Sequence, residues 1–283
     1  MNFWRWLGLL PLLLLALPAL AHGPLHEQIT NVTAELSLRP NDVPLLLRRG
    51  ELNRLDERWD AALADFQLAK QLAPANPEPL LGLGRLALDQ GKLTDATASL
   101  TRFLAIQSNH VEGHLLLARA LVRNQRASNA VEHFSRALAL STEPRPEWFI
   151  ERSQAQFSQG DRHLAEALAG LDEGVAKLGP VPTLQLAAIA LEMRRQGFDA
   201  ALQRLDTILA SSERKERWLL RRGEILELGG RPGEAVTAYN AAREAFEALP
   251  LRLQRSLAML DFRRELDAKL AALPASPKTL PTK

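Results

Sequence analysis

Between Val43 and Asn76 the apolar positions recur twice at helical spacing, with a break between the two runs. The first run spans about Pro44 to Leu55 and the second about Trp59 to Leu72, each an apolar stripe backed by a polar face. Small residues stand where two helices must approach closely: Gly50 in the first, Ala62 and Ala69 in the second. Leu46, Trp59 and Phe66 supply bulk around that contact. Pro74 closes the second helix, because it has no N–H and its ring clashes with the preceding turn. A helical hairpin this short buries only part of its apolar surface alone, so it requires neighbours like itself.

The chain supplies them. Gly50, Gly84 and Ala118 are 34 residues apart, as are Ala62, Ala96 and Ala130, and Phe66, Leu100 and Phe134. Ala69, Phe103 and Ala137 keep the same step. The phase then drifts, with Ser153, Ala190 and Gly223 taking the first small position. The last full unit, Glu216 to Leu249, carries Gly223, Gly230, Ala235, Tyr239 and Ala242, and Pro250 follows it. A helix–turn–helix unit of this length and pattern resembles the tetratricopeptide repeat over residues 43–249, in about six units. The resemblance implies an all-α fold, a right-handed α-solenoid of helix pairs with a concave groove lined by the first helix of each pair. It implies no ligand.

The ends read as caps. Within residues 22–42 an amphipathic helix from about Leu25 to Leu38 carries Ile29, Val32 and Leu36 on one side. Within residues 250–273, Leu251 to Leu273 reads as one more helix whose polar side suits a solvated terminal face. Residues 274–283, with three prolines and few apolar side chains, are expected to be disordered. The fourth unit departs from the pattern. Gly170 and Gly174 fall in its second helix and weaken a helix interior by roughly 1 kcal/mol each, so looser geometry, or a slight change in superhelix pitch, is expected around residues 166–182.

Composition adds a compartment and removes function classes. Residues 1–21 have Arg5, an apolar run from Leu7 to Leu20 and a small-x-small site at Ala19-Leu20-Ala21, the signature of a signal peptide cleaved after Ala21. The alternative is an uncleaved anchor, against which the run is short of the ~20 residues that a span needs. The expectation is an exported chain, periplasmic or secreted, with no membrane span after cleavage. The formal charge of +2 falls to +1 without Arg5, which gives no electrostatic case for nucleic acid. There is no cysteine, which excludes disulfides, thiol catalysis and zinc–thiolate sites.

No nucleophile elbow, phosphate loop or metalloprotease motif is present, so neither an enzyme nor a cofactor is expected. His110 and His114 are assigned to a repeat junction and the next helix start; His133 and His163 each stand alone. If cleavage follows Ala21, the α-amine and imidazole of His22, with His26 nearby, offer nitrogen ligands suited to copper(II). That is the alternative to the main expectation.

The main expectation is a protein or peptide partner in the groove. Family register places Arg48, Glu51, Arg54, Arg85 and Asp89 there, with Arg119, Arg123, Gln154 and Phe157 beyond them. Further along come Arg194, Arg195, Arg221 and Glu224. Guanidinium groups bind carboxylates bidentately, so an acidic extended peptide or a free carboxyl terminus suits such a groove. In the competing account these arginines pair with neighbouring acids such as Glu51 and Asp89. The lysine and asparagine clamp of chaperone-tail-binding repeats is missing, since Leu47, Glu51, Gly82, Glu112 and Leu116 stand at those positions. The resulting expectation is an exported scaffold, an adaptor or assembly factor for an envelope complex.

Overall fold

The computed structural model describes residues 23–273. The leader and the proline-rich tail lie outside them. Every regular element among the described residues is helical. They divide into two compact units between Asn124 and Gln125.

The first unit holds α1 (Gly23–Leu38), α2 (Val43–Leu55), α3 (Trp59–Leu72), α4 (Glu78–Asp89), α5 (Leu93–Ile106) and α6 (Val111–Arg123). Asp42 caps α2 by accepting from the Leu45 N–H, which satisfies one of the free donors at the helix start. The pairs α2/α3 and α4/α5 close as hairpins on a glycine. A methyl on Gly50 would stand 2.8 Å from Phe66 Cε1, and one on Gly82 only 2.5 Å from the same atom. One phenyl ring therefore packs against a bare backbone within its own hairpin and another in the next. On the outer side of α2, Ile29, Val32 and Leu36 of α1 join Leu45, Leu46, Leu52 and Ala69 in one core.

The second unit holds α7 (Ala127–Leu140), α8 (Pro146–Phe157), a 3₁₀ turn (Asp161–His163), α9 (Leu164–Leu178), α10 (Pro182–Arg194), α11 (Phe198–Ser211), α12 (Glu216–Leu228), α13 (Pro232–Glu247), α14 (Leu251–Gln254) and α15 (Leu257–Ala272). Phe149, Leu171 and Leu184 anchor one core, and Leu205, Ile225, Tyr239 and Phe262 another. Ala167, Ala201 and Ala235, each near the start of a second helix, are fully buried.

The hairpin turns share a backbone device. Glu57, Gly91, Gln196 and Gly230 all have φ between 57° and 72°, the left-handed region. The next residue's N–H reaches back to the carbonyl five residues earlier, as in Arg58 to Asn53 and Gly197 to Glu192, both at 2.8 Å. This is the Schellman closure, which uses carbonyls that the helix end leaves free. Glycine takes the left-handed position without a Cβ penalty, whereas Glu57 and Gln196 hold it under strain.

Three expectations are corrected. Ala190 is exposed, and Ile189, 2% exposed, occupies the inter-helix contact instead. The run Ala187-Ala188-Ile189-Ala190 offers several small residues, and small size alone does not select among them. Second, α9 runs unbroken through Gly170 and Gly174. A methyl on Gly174 would stand 2.9 Å from Phe149 Cγ, so this glycine admits an aromatic ring from α8. Third, the final helix is split, with Ser256 extended (ψ 146°) between α14 and α15. The buried stripe of α15 is Met259, Phe262 and Leu266. Continued backward along one helix, that stripe would bury Arg255 and Arg252, and the break leaves both exposed.

Candidate functional site

In the first unit two of the groove arginines, Arg54 and Arg85, are held by groove acids. Arg54 donates to Glu51 from Nε at 2.9 Å and from Nη2 at 2.7 Å, and its Nη1 binds Asp89 of α4. Arg85 donates to Glu112 of α6 from Nη2 at 2.7 Å to each oxygen, and lies 3.9 Å from Glu51. Burial alone would raise the Glu51 carboxyl. The hydrogen bonds of Arg54 and the charges of Arg54 and Arg85 outweigh it and hold the group below the usual carboxylate range. The same bonds to Glu51 raise the already high pKa of Arg54. Arg123 donates to the Leu88 carbonyl at 2.8 Å, and Arg119 is half-buried and engaged. Arg48 is exposed. The first-unit part of the groove is thus a ladder of matched charge across α2, α4 and α6.

The second unit is different. Between α8 and α10 an open cavity of about 530 Å³ is lined by Ile150, Ser153, Gln154 and Phe157 on one side and Ala187, Ala190, Leu191 and Arg194 on the other. Of the groove residues expected from sequence, Gln154, Phe157 and Arg194 meet here. Arg194 is 62% exposed, and its contact with Asp161 is long at 3.5 Å. Its guanidinium therefore stands at the rim of an apolar floor, available to a carboxylate. Arg195 turns away to the buried Glu192 at 2.5 Å, and Arg221 pairs with Glu224 at 2.8 Å on α12.

A model of the tetratricopeptide repeat family matches residues 81–146 and 186–250. The chain is a tetratricopeptide repeat protein. Solved structures agree on the fold of this repeat protein. A repeat protein from Cytophaga hutchinsonii has a TM-score of 0.65 at 12% identity, covering 86% of this chain and 95% of its own. One from Parabacteroides merdae has a TM-score of 0.53 at 14% identity, covering 89% and 94%. YrrB, described as having an unusual peptide-binding site, has a TM-score of 0.53 at 17% identity, covering 63% of this chain and 91% of its own. No curated protein matches the sequence. Tetratricopeptide repeats serve as scaffolds for protein interaction, and that general role is this protein's.

Four histidines of this repeat protein, His110, His114, His133 and His163, have local partners. His110 precedes α6, and its Nδ1 accepts from the Gly113 N–H at 3.0 Å. His114 is buried, with Nε2 2.9 Å from the Ser108 carbonyl. His163 Nδ1 lies 3.0 Å from Glu166, and His133 is engaged. His26 is exposed on α1, whereas His22 lies outside the described residues.

Sequence reasoning missed Ile150, Ala187, Ala190 and Leu191, the apolar floor. Apart from Phe157 it selected polar groove positions, and it passed over Ile150, Ala187 and Ala190, which share that register but are apolar. An apolar residue on the face of a first helix that points away from its own hairpin was the available signal.

Proposed function

We propose that the protein is an exported adaptor or assembly factor that holds an extended segment of a protein partner in the cavity between α8 and α10. The observation that carries this is the apolar opening floored by Ile150, Phe157, Ala187, Ala190 and Leu191, with Gln154 and Arg194 as polar contacts. Its volume suits one or two apolar side chains of a peptide, with a carboxylate at Arg194. The ladder of the first unit has its charge satisfied internally, so it contributes shape more than affinity. Export rests on the leader, with the mature chain beginning at His22 and the partner belonging to an envelope complex. YrrB supports the peptide class of ligand only by analogy of fold.

Ala190→Trp provides the test. Ala190 is exposed, so an indole there fills the cavity without entering the core. Partner recovery in a pull-down is expected to collapse in this variant and to survive in an Arg85→Glu, Arg119→Glu double variant. Equal recovery by wild type and Ala190→Trp would refute the cavity as the binding site. Cell fractionation with amino-terminal sequencing tests export, with His22 as the expected first residue.

A further inference from the structure

The carboxyl-terminal end of the second unit carries a surface that neither the repeat packing nor the α8–α10 cavity uses. Four leucines lie exposed within ten residues: Leu251 at 65%, Leu253 at 39%, Leu257 at 77% and Leu260 at 44%. A terminal helix of a repeat array ordinarily turns a polar face outward. Here the outward face of α15 begins with Leu257 and Leu260, three residues apart and so on one side of the helix.

Between Leu251 and Leu260 the charged side chains are all basic. Arg252 and Arg255 are exposed, and neither forms an ion pair among the described residues. The break at Ser256 is what keeps them outside, since one continuous helix would turn both toward the core. Arg217 of α12, also exposed, joins them by donating to the Ala258 carbonyl at 3.1 Å, with its guanidinium carbon 5.8 Å from the centroid of the Phe262 ring. No acid occurs from Ala248 to Leu260. Asp261 is engaged by Arg264, and Glu247 at the end of α13 and Glu265 on α15 are the exposed acids at the edge.

We infer that this end of the protein docks on an anionic lipid surface, with the leucines entering the headgroup boundary and Arg217, Arg252 and Arg255 meeting lipid phosphates. Leucine and arginine interleaved with no carboxylate between them in sequence is the chemistry of an interfacial membrane contact. A second copy meeting this patch with the same face would set these guanidiniums against their own kind. An anionic bilayer supplies phosphates across the whole face. The docking is peripheral, because no helix among the described residues is long and apolar enough to cross a membrane.

Vesicle sedimentation tests this, using the protein as its host cell delivers it. Wild type and variants share one amino terminus, so any affinity of residues 1–22 cancels between them. Wild type is expected to bind vesicles of equal parts phosphatidylglycerol and phosphatidylcholine, to release in salt, and to ignore pure phosphatidylcholine. Arg252→Gln with Arg255→Gln should lower partitioning by about five-fold per arginine. Leu257→Ser with Leu260→Ser should lower it by at least as much. All four side chains are exposed, and unchanged helical circular dichroism confirms folding. Vesicle binding equal in wild type and both variants, or no binding by wild type, overturns the proposal. So does a dimer in sedimentation velocity that Leu257→Ser with Leu260→Ser dissociates while vesicle binding stays unchanged, since the leucines then face a second copy.

Discussion

Arg85 on α4 grips both carboxylate oxygens of Glu112 on α6 at 2.7 Å. The contact joins the first helices of neighbouring hairpins in the first unit. It also matches a charge that would otherwise face a ligand. Single alanine variants at each position and the double variant, unfolded in urea, measure the coupling. Glu112 is 49% exposed, so the expected coupling is about 0.2–1 kcal/mol and shrinks with added salt. A coupling that salt leaves unchanged would show that the pair is shielded from solvent.

The hairpin turns yield substitutions of opposite sign on one backbone. At Gly91, φ +71°, an added Cβ meets only Arg123 Nη2 at 3.7 Å, so Gly91→Ala pays for backbone geometry alone. The expected loss is roughly 1–2 kcal/mol. Glu57→Gly and Gln196→Gly relieve the same geometry, offset by the entropy of glycine in the unfolded chain. Each should gain about 0.5–1 kcal/mol. Thermal melts of the three variants decide the matter, and a loss on Gln196→Gly would contradict the left-handed turn.

Register is tested by packing. A Cβ on Gly84 would stand 2.6 Å from Leu100 Cγ, so Gly84→Leu should cost about 1–3 kcal/mol. In α10, Ile189→Ala should cost about 2–5 kcal/mol, because the side chain is buried in the core. Ala190→Ser should stay within roughly 0.5 kcal/mol of wild type. Chemical denaturation that ranks Ala190 above Ile189 would return the contact to the position expected from sequence.

Tyr239 Oη donates to Glu227 Oε2 at 2.8 Å, and Lys269 Nζ binds the same oxygen at 3.1 Å. These bonds tie α12, α13 and α15 together. Burial, then the bond to the Glu227 carboxylate and its charge, push the phenol above its ordinary value of 10.0. A raised phenol stabilises the fold fully below that ordinary value, and this contribution is lost as pH climbs past it toward the folded value. Wild type should therefore lose an increment of stability above pH 10.0 that Tyr239→Phe lacks. At neutral pH the variant should cost about 1 kcal/mol, the worth of an ordinary hydrogen bond. The chain has one tyrosine, so tyrosinate absorbance follows this group alone.

The fold class was legible because it rests on local periodicity. Small residues at a 34-residue step and an apolar stripe per helix require only the period of the α-helix and a rule about close approach. The bounds expected for the second helix of the leading hairpin, Trp59 to Leu72, are those of α3. The candidate site was legible in part. Gln154, Phe157 and Arg194 came from register, but their grouping into one cavity depends on how α8 and α10 pack.

What the amino-acid sequence determined by itself was the helical repeat and which residue types sit at its close contacts, because both follow from spacing along one chain. Tertiary structure alone decided which neighbour each side chain meets. It placed Ile189 rather than Ala190 in the core, turned Arg54 and Arg85 toward acids on adjacent helices, and broke the last helix at Ser256. Each of these turns on a choice between nearly equal local options. Burial settles that choice: apolar volume must be filled, and a guanidinium must keep either water or a carboxylate.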